Sequence, residues 1–290
     1  MDKDSKSPGK KHPYAGLTVF FGTLHEKDRA VRPALEGLGI ACRVVAVDTD
    51  RFGTFTGEIP RSGSIRETLR LKVRAVFEKE PDARLALASE GSFAPHPAFG
   101  FALCNHEALL LVDRLSEREF HSEVLSPRVR ALELELSPRD DLAQALEKLG
   151  APDHGVVVRP KDAPDPVVKG LRTFHGVARA MIDCFAESPE AKVILANDLR
   201  AHQNPTRMEG IARAAARLVE QLDSFCPGCK AIGFRPAVPE AGVPCSDCET
   251  PTAVLRGHTW ACEACGHREF RPAENAPVSA DPSRCPACNP

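Results

Sequence analysis

The sequence has almost no excess charge, since 38 Lys and Arg residues face 40 Asp and Glu residues and the formal net charge is −2. A chain with such balanced charge exerts no strong long-range attraction on nucleic acids or anionic membranes. It also has no apolar run near the roughly 20 residues that a membrane-spanning helix needs. We therefore expect a soluble, cytoplasmic protein without a membrane partner, and nucleic acid is disfavoured as a partner.

The first 13 residues have no apolar stretch, and their lysines and other polar residues exclude a secretory signal. This composition predicts a disordered tail over residues 1–13. The remaining length suits two domains of ordinary size. We place an α/β domain at residues 14–224 and a metal-binding module at residues 225–290.

The cysteines form a pattern that disfavours a disulfide framework. Eight of the eleven form four Cys-x-x-Cys pairs: Cys226/Cys229, Cys245/Cys248, Cys262/Cys265 and Cys285/Cys288. In a chain without an export signal, such pairs predict metal ligation. Eight thiolates complete two tetrahedral zinc sites with no position left for substrate, so we expect two structural zinc ions. The metal then supplies much of the folding free energy of this short module.

The spacing of the pairs alone leaves their grouping open. Residues 260–266 (Trp-Ala-Cys-Glu-Ala-Cys-Gly) and 281–288 (Asp-Pro-Ser-Arg-Cys-Pro-Ala-Cys) resemble the two knuckles of rubredoxin-type ribbons. That resemblance favours sequential grouping, the first pair with the second and the third with the fourth. A nested grouping, in which the two middle pairs share one zinc ion, is the alternative.

The chain before the cysteines alternates strand-like and helix-like segments, which predicts an α/β fold with a mixed sheet and flanking helices. Ser64 and Glu67 form a predicted capping box for one helix, and Ser137-Pro138 is the predicted start of another. Residues 89–106 are predicted as a loop. Three strands are expected to follow one another as antiparallel neighbours, at residues 108–113, 119–125 and 130–136.

Four polar segments follow predicted strands, which is where α/β proteins bind ligands. The first places Thr23, His25 and Lys27 at the N-terminus of a helix, where phosphate is stabilised by free N–H groups. Carboxylates in the second and third segments, Asp50 and Glu90, are candidate catalytic groups and magnesium ligands. Ordinary turns and solvated loops are the alternative interpretation of these segments.

Basic and amide side chains in the same segments are candidates for contact with phosphate or substrate. They are Arg61 in the second segment and Arg200, Asn204 and Arg207 in the fourth. Arginine suits this role because its planar guanidinium binds phosphate in a bidentate manner. Asn204 has helix capping as an alternative role.

These segments, together with the terminal Cys pairs, resemble an uncharacterised bacterial family, a domain of unknown function with a zinc-ribbon tail. The matching stretches are residues 48–61, 88–97, 198–208 and 285–290. The resemblance covers nearly the whole chain after Tyr14 and implies no activity.

The first 115 residues are also similar to the inosine/xanthosine triphosphate pyrophosphatase superfamily. The shared order is a strand, Gly-Thr-x-His-x-Lys, a helix and, later, a strand that ends in Ser-Glu-Gly. This similarity implies that Lys27 binds phosphate, that Glu90 holds magnesium or activates water, and that Arg207 contacts substrate. The pattern departs from the family because His25 replaces an asparagine and Lys27 comes one residue early.

Three functions follow as hypotheses. The first is a magnesium-dependent hydrolase of nucleotides or other phosphate esters, with the zinc ribbons as a structural tail. The second is a ligand-binding or adaptor protein without enzymatic activity, whose zinc ribbons dock a protein partner. The third, nucleic-acid binding, is disfavoured because residues 226–290 carry six Lys or Arg residues against seven Asp or Glu residues.

Overall fold

A computed structural model describes residues 11–48, 63–95, 100 and 103–290. The first ten residues of the predicted tail, and the loop that carries Asp50 and Arg61, lie outside the described residues. The chain divides into two compact units, Met1–Leu218 and Val219–Pro290. Within the described part of the chain, no helix has the length and apolar character needed to cross a membrane.

A five-stranded mixed sheet forms the first half of the first unit. Its order is β2-β1-β3-β4-β5, parallel across β2, β1 and β3 and antiparallel across β3, β4 and β5. The mixed sheet of the predicted α/β fold is therefore confirmed. The strands are β1 (Thr18–Gly22), β2 (Ala41–Val45), β3 (Leu85–Pro95), β4 (Leu103–Asp113) and β5 (Arg118–Ser126).

Two helices connect the parallel strands, α1 (Asp28–Glu36) and α2 (Ile65–Lys79). Helix α2 begins as predicted, because the Ser64 hydroxyl accepts from the Glu67 N–H and the Glu67 carboxylate accepts from the Ser64 N–H. Its apolar side packs on one face of the sheet, where Leu69, Val73 and Val76 bury Ala88 and Leu110.

The predicted loop at residues 89–106 is wrong for most of its length. Strand β3 continues to Pro95, and β4 begins at Leu103. Polar residues and glycine suggested a loop, but each residue of β3 from Leu85 to Pro95 has a ladder partner on β4. Ser89 and Glu90 therefore lie in a strand, just beyond the last pair between β1 and β3, Gly22 with Ala88.

A four-stranded antiparallel sheet with the order β6-β9-β7-β8 forms the second half of the first unit. Its core lies between the sheet and two helices, where Leu146, Val177, Met181 and Leu195 are buried. The strands are β6 (Glu133–Leu136), β7 (Val156–Pro160), β8 (Val168–Leu171) and β9 (Val193–Asn197), and the helices are α3 (Leu142–Leu149) and α4 (Phe174–Glu187). Helix α5 (Pro205–Leu222) follows β9.

Two local predictions fail in this half. The third of the expected consecutive antiparallel strands, β6, does not pair with β5 but with β9, more than 50 residues later in the chain. Helix α3 starts after Asp141 and not at Ser137-Pro138, because the Asp141 carboxylate accepts hydrogen bonds from the N–H groups of Ala143 and Gln144.

The second unit contains a three-stranded antiparallel sheet with the order β10-β11-β12. The strands are β10 (Arg235–Ala241), β11 (Leu255–Ala261) and β12 (Arg268–Pro272). The cysteine pairs occupy the turns between these strands and beside them.

Candidate functional sites

The order of the parallel strands marks one position in the first sheet where a ligand crevice is expected. From β1 the chain moves to β2 on one side, and it then returns to β3 on the other side of β1. Ligands of open α/β sheets bind beyond the carboxyl ends of the strands at such a switch of direction. Here the residues after β1 and the continuation of β3 past Ala88 meet at that position.

Lys27 and Ser89 meet at this switch point. Lys27 immediately precedes α1, and its Nζ donates to the Ser89 hydroxyl at 3.0 Å. Both side chains are buried, and within the described part of the chain Lys27 forms no ion pair. Thr23 also lies here, and its buried hydroxyl has no hydrogen-bond partner among the described residues.

Glu90 forms a buried ion pair that the sequence did not suggest. Its carboxylate contacts Nζ of Lys72, which projects from the middle of α2, and both side chains are only 7% exposed. The Lys72 Nζ also lies 3.5 Å from the Ser89 carbonyl oxygen. From the sequence alone, a lysine inside an amphipathic helix is expected to face solvent. The signal for its burial was its position among apolar residues at helical spacing.

A second buried ion pair joins β4 to the start of α5. Arg207 Nε donates to Glu107 Oε1 at 2.7 Å, and both side chains are 1% exposed. Asn105 Nδ2 donates to the same oxygen at 3.1 Å. The other oxygen, Glu107 Oε2, is buried and has no hydrogen-bond partner among the described residues. Glu107 was not among the predicted site residues, because in the sequence it is a single polar residue beside an apolar strand and its partner Arg207 lies 100 positions away.

Gly91 makes the close approach of this pair to β3 possible. A Cβ atom on Gly91 would lie 2.6 Å from Glu107 Oε2 and closer still to Arg207 Nη2. Such an approach is well inside van der Waals contact, so any larger residue would displace the ion pair. Glycine is required here for space, because its neighbours lie directly against the backbone.

The charges around Lys27 lower its pKa to about 8. Burial contributes most, and the positive charge of Arg207 adds to it, while Glu107 acts in the opposite direction. Lys72 and Glu90 also act on Lys27, with opposite signs. The described cluster thus has three basic groups against two carboxylates, which leaves one positive charge without a counter-charge when Lys27 is protonated.

The fourth polar segment lies between β9 and α5 and is mostly tied up in bonds within the unit. Arg200 forms an ion pair with the buried Asp198 at 2.6 Å. Burial acts to raise the pKa of Asp198, but the hydrogen bonds from Arg200 hold it below its usual range. Asn204 accepts from the Arg207 N–H and donates to the Arg130 carbonyl. Arg207 also donates to the Leu199 carbonyl.

His25 connects this segment to the loop after β1. Its ring stacks on His202, with ring centroids 5.3 Å apart and an interplanar angle of 29°. Burial and the nearby charge of Arg200 lower the pKa of His202. The structure therefore brings together Thr23, Lys27, Glu90 and Arg207 around the switch point, with His25 beside the segment that carries Arg200. Asp50 and Arg61 lie outside the described residues.

The cysteines of the second unit form two groups whose geometry suits zinc. One group is Cys226, Cys229, Cys262 and Cys265, and the other is Cys245, Cys248, Cys285 and Cys288, with all four sulfurs of each group within 4.8 Å of one another. Sulfur–sulfur contacts between knuckles span 3.3–3.9 Å. A tetrahedron with zinc–sulfur bonds of about 2.3 Å has sulfurs about 3.8 Å apart, so each group can hold one zinc ion.

The backbone of the four Cys-x-x-Cys knuckles supports zinc binding, because the same turn occurs in each. The N–H of the fourth residue after the first cysteine donates back to that cysteine's carbonyl in all four knuckles. Three of these fourth residues have a left-handed backbone: Lys230, Glu249 and Gly266. Each turn thus points both of its sulfurs to one side.

The predicted sequential grouping is wrong, and the nested alternative is wrong as well. The first pair joins the third, and the second joins the fourth. The antiparallel sheet is the reason: Arg235, at the start of β10, pairs with Ala261, at the end of β11, so the knuckles before β10 and after β11 meet. The other two knuckles meet near the opposite end, where Cys245 forms a bridge with Ala280.

These features define a mixed α/β protein with a C-terminal unit whose cysteines can hold two zinc ions. The chain belongs to a family described as a domain of unknown function, DUF6671, whose model matches residues 74–290. The predicted uncharacterised family with zinc ribbons is thereby confirmed, and the family brings no activity with it. The similarity to inosine/xanthosine triphosphate pyrophosphatases is not shown by this match.

Two further comparisons add little. No curated protein matches the chain. Among solved structures, the chain is similar to protein VC0702 from Vibrio cholerae, with 12% sequence identity and a TM-score of 0.31. That likeness covers 69% of this chain and 90% of the other. A TM-score this low carries no argument about fold or function.

Proposed function

We propose that the crevice between β1 and β3 binds a phosphate-bearing small molecule and that the protein hydrolyses a phosphate ester, with nucleotides as the first class to examine. The observation that carries the proposal is the buried Lys27, which has a hydroxyl partner but no carboxylate partner in the described part of the chain. An isolated buried cation is unfavourable. A bound phosphate would supply the missing negative charge.

The surroundings of Lys27 suit an anion for a second reason. The backbone after β1 leads into the N-terminus of α1, where the helix dipole stabilises negative charge. The Thr23 hydroxyl is a further donor at this position. Lys72 and Arg207 each carry their own carboxylate partner, so Lys27 is the group in this cluster that an incoming phosphate would neutralise.

We further propose a magnesium ion that is bound mainly through substrate phosphate. Magnesium usually takes only one or two protein carboxylates. Glu90 and Glu107 are the described carboxylates at the crevice, and Glu107 Oε2 is a hard oxygen without a described hydrogen-bond partner. Asp50 is a further candidate ligand. Bound magnesium would neutralise charge on the phosphoryl group, while the ion pair with Lys72 fixes the position of the Glu90 carboxylate.

The experiment is a hydrolysis screen with the full-length, zinc-loaded protein. Nucleoside triphosphates, nucleoside diphosphates and p-nitrophenyl phosphate are incubated with and without magnesium, and released phosphate and pyrophosphate are measured. We expect magnesium-dependent release from at least one substrate and at least a hundredfold loss in Glu90→Gln.

The matched control is Glu119→Gln, which alters a carboxylate paired with Arg70 on the outer part of the same sheet. It should keep full activity. The proposed hydrolysis fails if the wild-type protein releases neither product. The proposed phosphate binding fails if calorimetry also shows no binding of inorganic phosphate.

Docking of a protein through the zinc-binding unit is a second candidate, and it rests on a row of side chains in the three-stranded sheet. Val238 pairs with Thr259, and Thr259 pairs with Phe270, so the three side chains lie on one face. Val238 and Phe270 are 44% and 40% exposed. If this row docks a partner, a protein that copurifies with the wild type should be lost in the double variant Val238→Ser with Phe270→Ser. The zinc content of that variant should stay unchanged.

A further inference from the structure

Ser89 occupies a distinctive position in the crevice. It is the first residue of β3 beyond the last pair with β1, so on that side the strand has no partner in β1 from this residue onward. Antiparallel pairing with Leu109 of β4 fixes its backbone on the other side. A hydroxyl in this position sits at the switch point itself and is held by a rigid strand, which favours precise placement against a ligand.

Lys27 approaches this hydroxyl from the loop before α1. The distance of 3.0 Å between Nζ and Oγ is within hydrogen-bond reach for proton transfer. A nucleophile in hydrogen-bond contact with a group that can take its proton is the recurring arrangement of covalent catalysis, and lysine serves as that group in serine–lysine pairs.

The groups around Lys27 make its neutral form accessible near neutral pH. Arg207 on α5 and Lys72 on α2 place positive charge near its amine, and Glu107 on β4 and Glu90 on β3 oppose them. Burial of the amine acts in the same direction as the two cations. The result is an amine that can accept a proton near neutral pH and that then carries the positive charge facing the phosphoryl group.

We propose that Ser89 is the nucleophile of the phosphate-ester hydrolysis proposed above and that Lys27 takes the proton of its hydroxyl. This inference rests on the proposed function. In the first step, a bond forms between Ser89 Oγ and phosphorus as the bond to the leaving oxygen breaks. The Ser89 proton passes to Lys27 Nζ and from there to the leaving oxygen. In the second step, water attacks the phosphoserine, the bond between Oγ and phosphorus breaks, and a proton of the water returns to Ser89 through Lys27.

The test measures covalent modification of the full-length, zinc-loaded protein. A fluorophosphonate probe forms the same bond between Oγ and phosphorus with loss of fluoride, so it reports the nucleophile without knowledge of the natural substrate. We expect one adduct, located at Ser89 by peptide mass spectrometry. Ser89→Ala should give no adduct, and Lys27→Met should react at least tenfold more slowly.

Ser92→Ala is the matched control, because Ser92 lies on the same strand and is less buried. It should be modified as fast as the wild-type protein. Thermal unfolding of each variant checks that the fold persists. If Ser89→Ala is unfolded, Ser89→Cys replaces it, and iodoacetamide should then alkylate the introduced thiol faster when Lys27 is present than in the double variant that also carries Lys27→Met.

The outcomes separate this inference from the proposed function. Modification at Ser89 without any phosphate-ester hydrolysis would retain the nucleophile and reject the reaction class. Hydrolysis that persists in Ser89→Ala would retain the proposed function and overturn the inference. The absence of any adduct at Ser89 at a pH well above the Lys27 pKa of about 8, where the amine is neutral, would also overturn it.

Discussion

The two units of the chain are stabilised by different means. In the first unit, two extended clusters of buried apolar side chains lie between sheets and helices. In the second unit, the corresponding cluster has only three buried members, Cys226, Phe234 and Cys262, and two of them are in a predicted zinc site. A small segment with so little apolar core needs another source of stability, and metal ligation is the usual one.

Removal of the metal by chelation should produce the largest difference in stability between the two units. Structural zinc contributes about 10–16 kcal/mol of apparent binding free energy in zinc-finger peptides, far more than a core this small provides. After treatment of the reduced protein with a strong chelator, we expect residues 219–290 to become sensitive to protease while residues 103–218 stay resistant. Mass spectrometry of the fragments measures this, and equal resistance of both units would contradict the comparison.

The grouping of the cysteines can be tested with two double variants that use exposed ligands. Cys229→Ser with Cys265→Ser removes two ligands from one group and should leave about one zinc ion per chain. Cys229→Ser with Cys248→Ser damages both groups and should leave close to none. Sequential grouping predicts the reverse order. Zinc content by elemental analysis decides between them, and equal content in both variants would reject the grouping in the structure.

The first unit should respond strongly to the loss of one buried carboxylate. Asp113, at the end of β4, is 1% exposed and accepts hydrogen bonds from Arg84, Tyr14, Ser116 and the Leu115 N–H. Burial acts to raise its pKa, but these donors lower it to about 2. Asp113→Asn removes the charged acceptor of these hydrogen bonds and should lower the free energy of unfolding by about 2 kcal/mol.

The comparison variant is Glu133→Gln, which breaks an exposed ion pair with Arg159. Exposed pairs contribute less than about 1 kcal/mol, so this variant should unfold close to the wild type. The pH dependence of the stability that Asp113 contributes has a definite sign. Because the folded pKa of Asp113 is depressed, its contribution is complete above the unfolded pKa of roughly 4 and is lost as the pH falls toward 2. Urea titrations at several pH values measure it.

The contrast between Asp113 and Glu107 shows what sequence could and could not reveal. Both are buried acidic residues on β4, and from the sequence both appear as polar residues beside an apolar strand. Their partners come from distant parts of the chain: Tyr14 lies 99 positions from Asp113, and Arg207 lies 100 positions from Glu107. Local patterns carry no information about contacts at such separations.

Local features were predicted well where they depend on neighbours in the chain. The Ser64–Glu67 capping box is set by a few adjacent residues. The Cys-x-x-Cys turns are equally local, and the sequence identified the eight candidate ligands. Their grouping depends on how β10 and β11 pair, and the resemblance that favoured sequential grouping does not contain that pairing.

The smallest expected effect concerns the proton on Lys27 and distinguishes a binding group from a structural one. Asp113 has its full set of donors, whereas protonated Lys27 has no counter-charge within the described residues, so an anion should bind to it. Sulfate is the suitable probe because it stays a dianion throughout the relevant range. Since the pKa of Lys27 is lowered to about 8, sulfate affinity should be constant below that pH and weaken as Lys27 loses its proton above it. The slope should approach tenfold per pH unit, or about 1.4 kcal/mol.

In calorimetry, Lys27→Met should bind sulfate weakly at every pH, and the exposed Lys148→Met should match the wild type. An affinity that does not change between pH 7 and about pH 10 would show that Lys27 does not hold the anion.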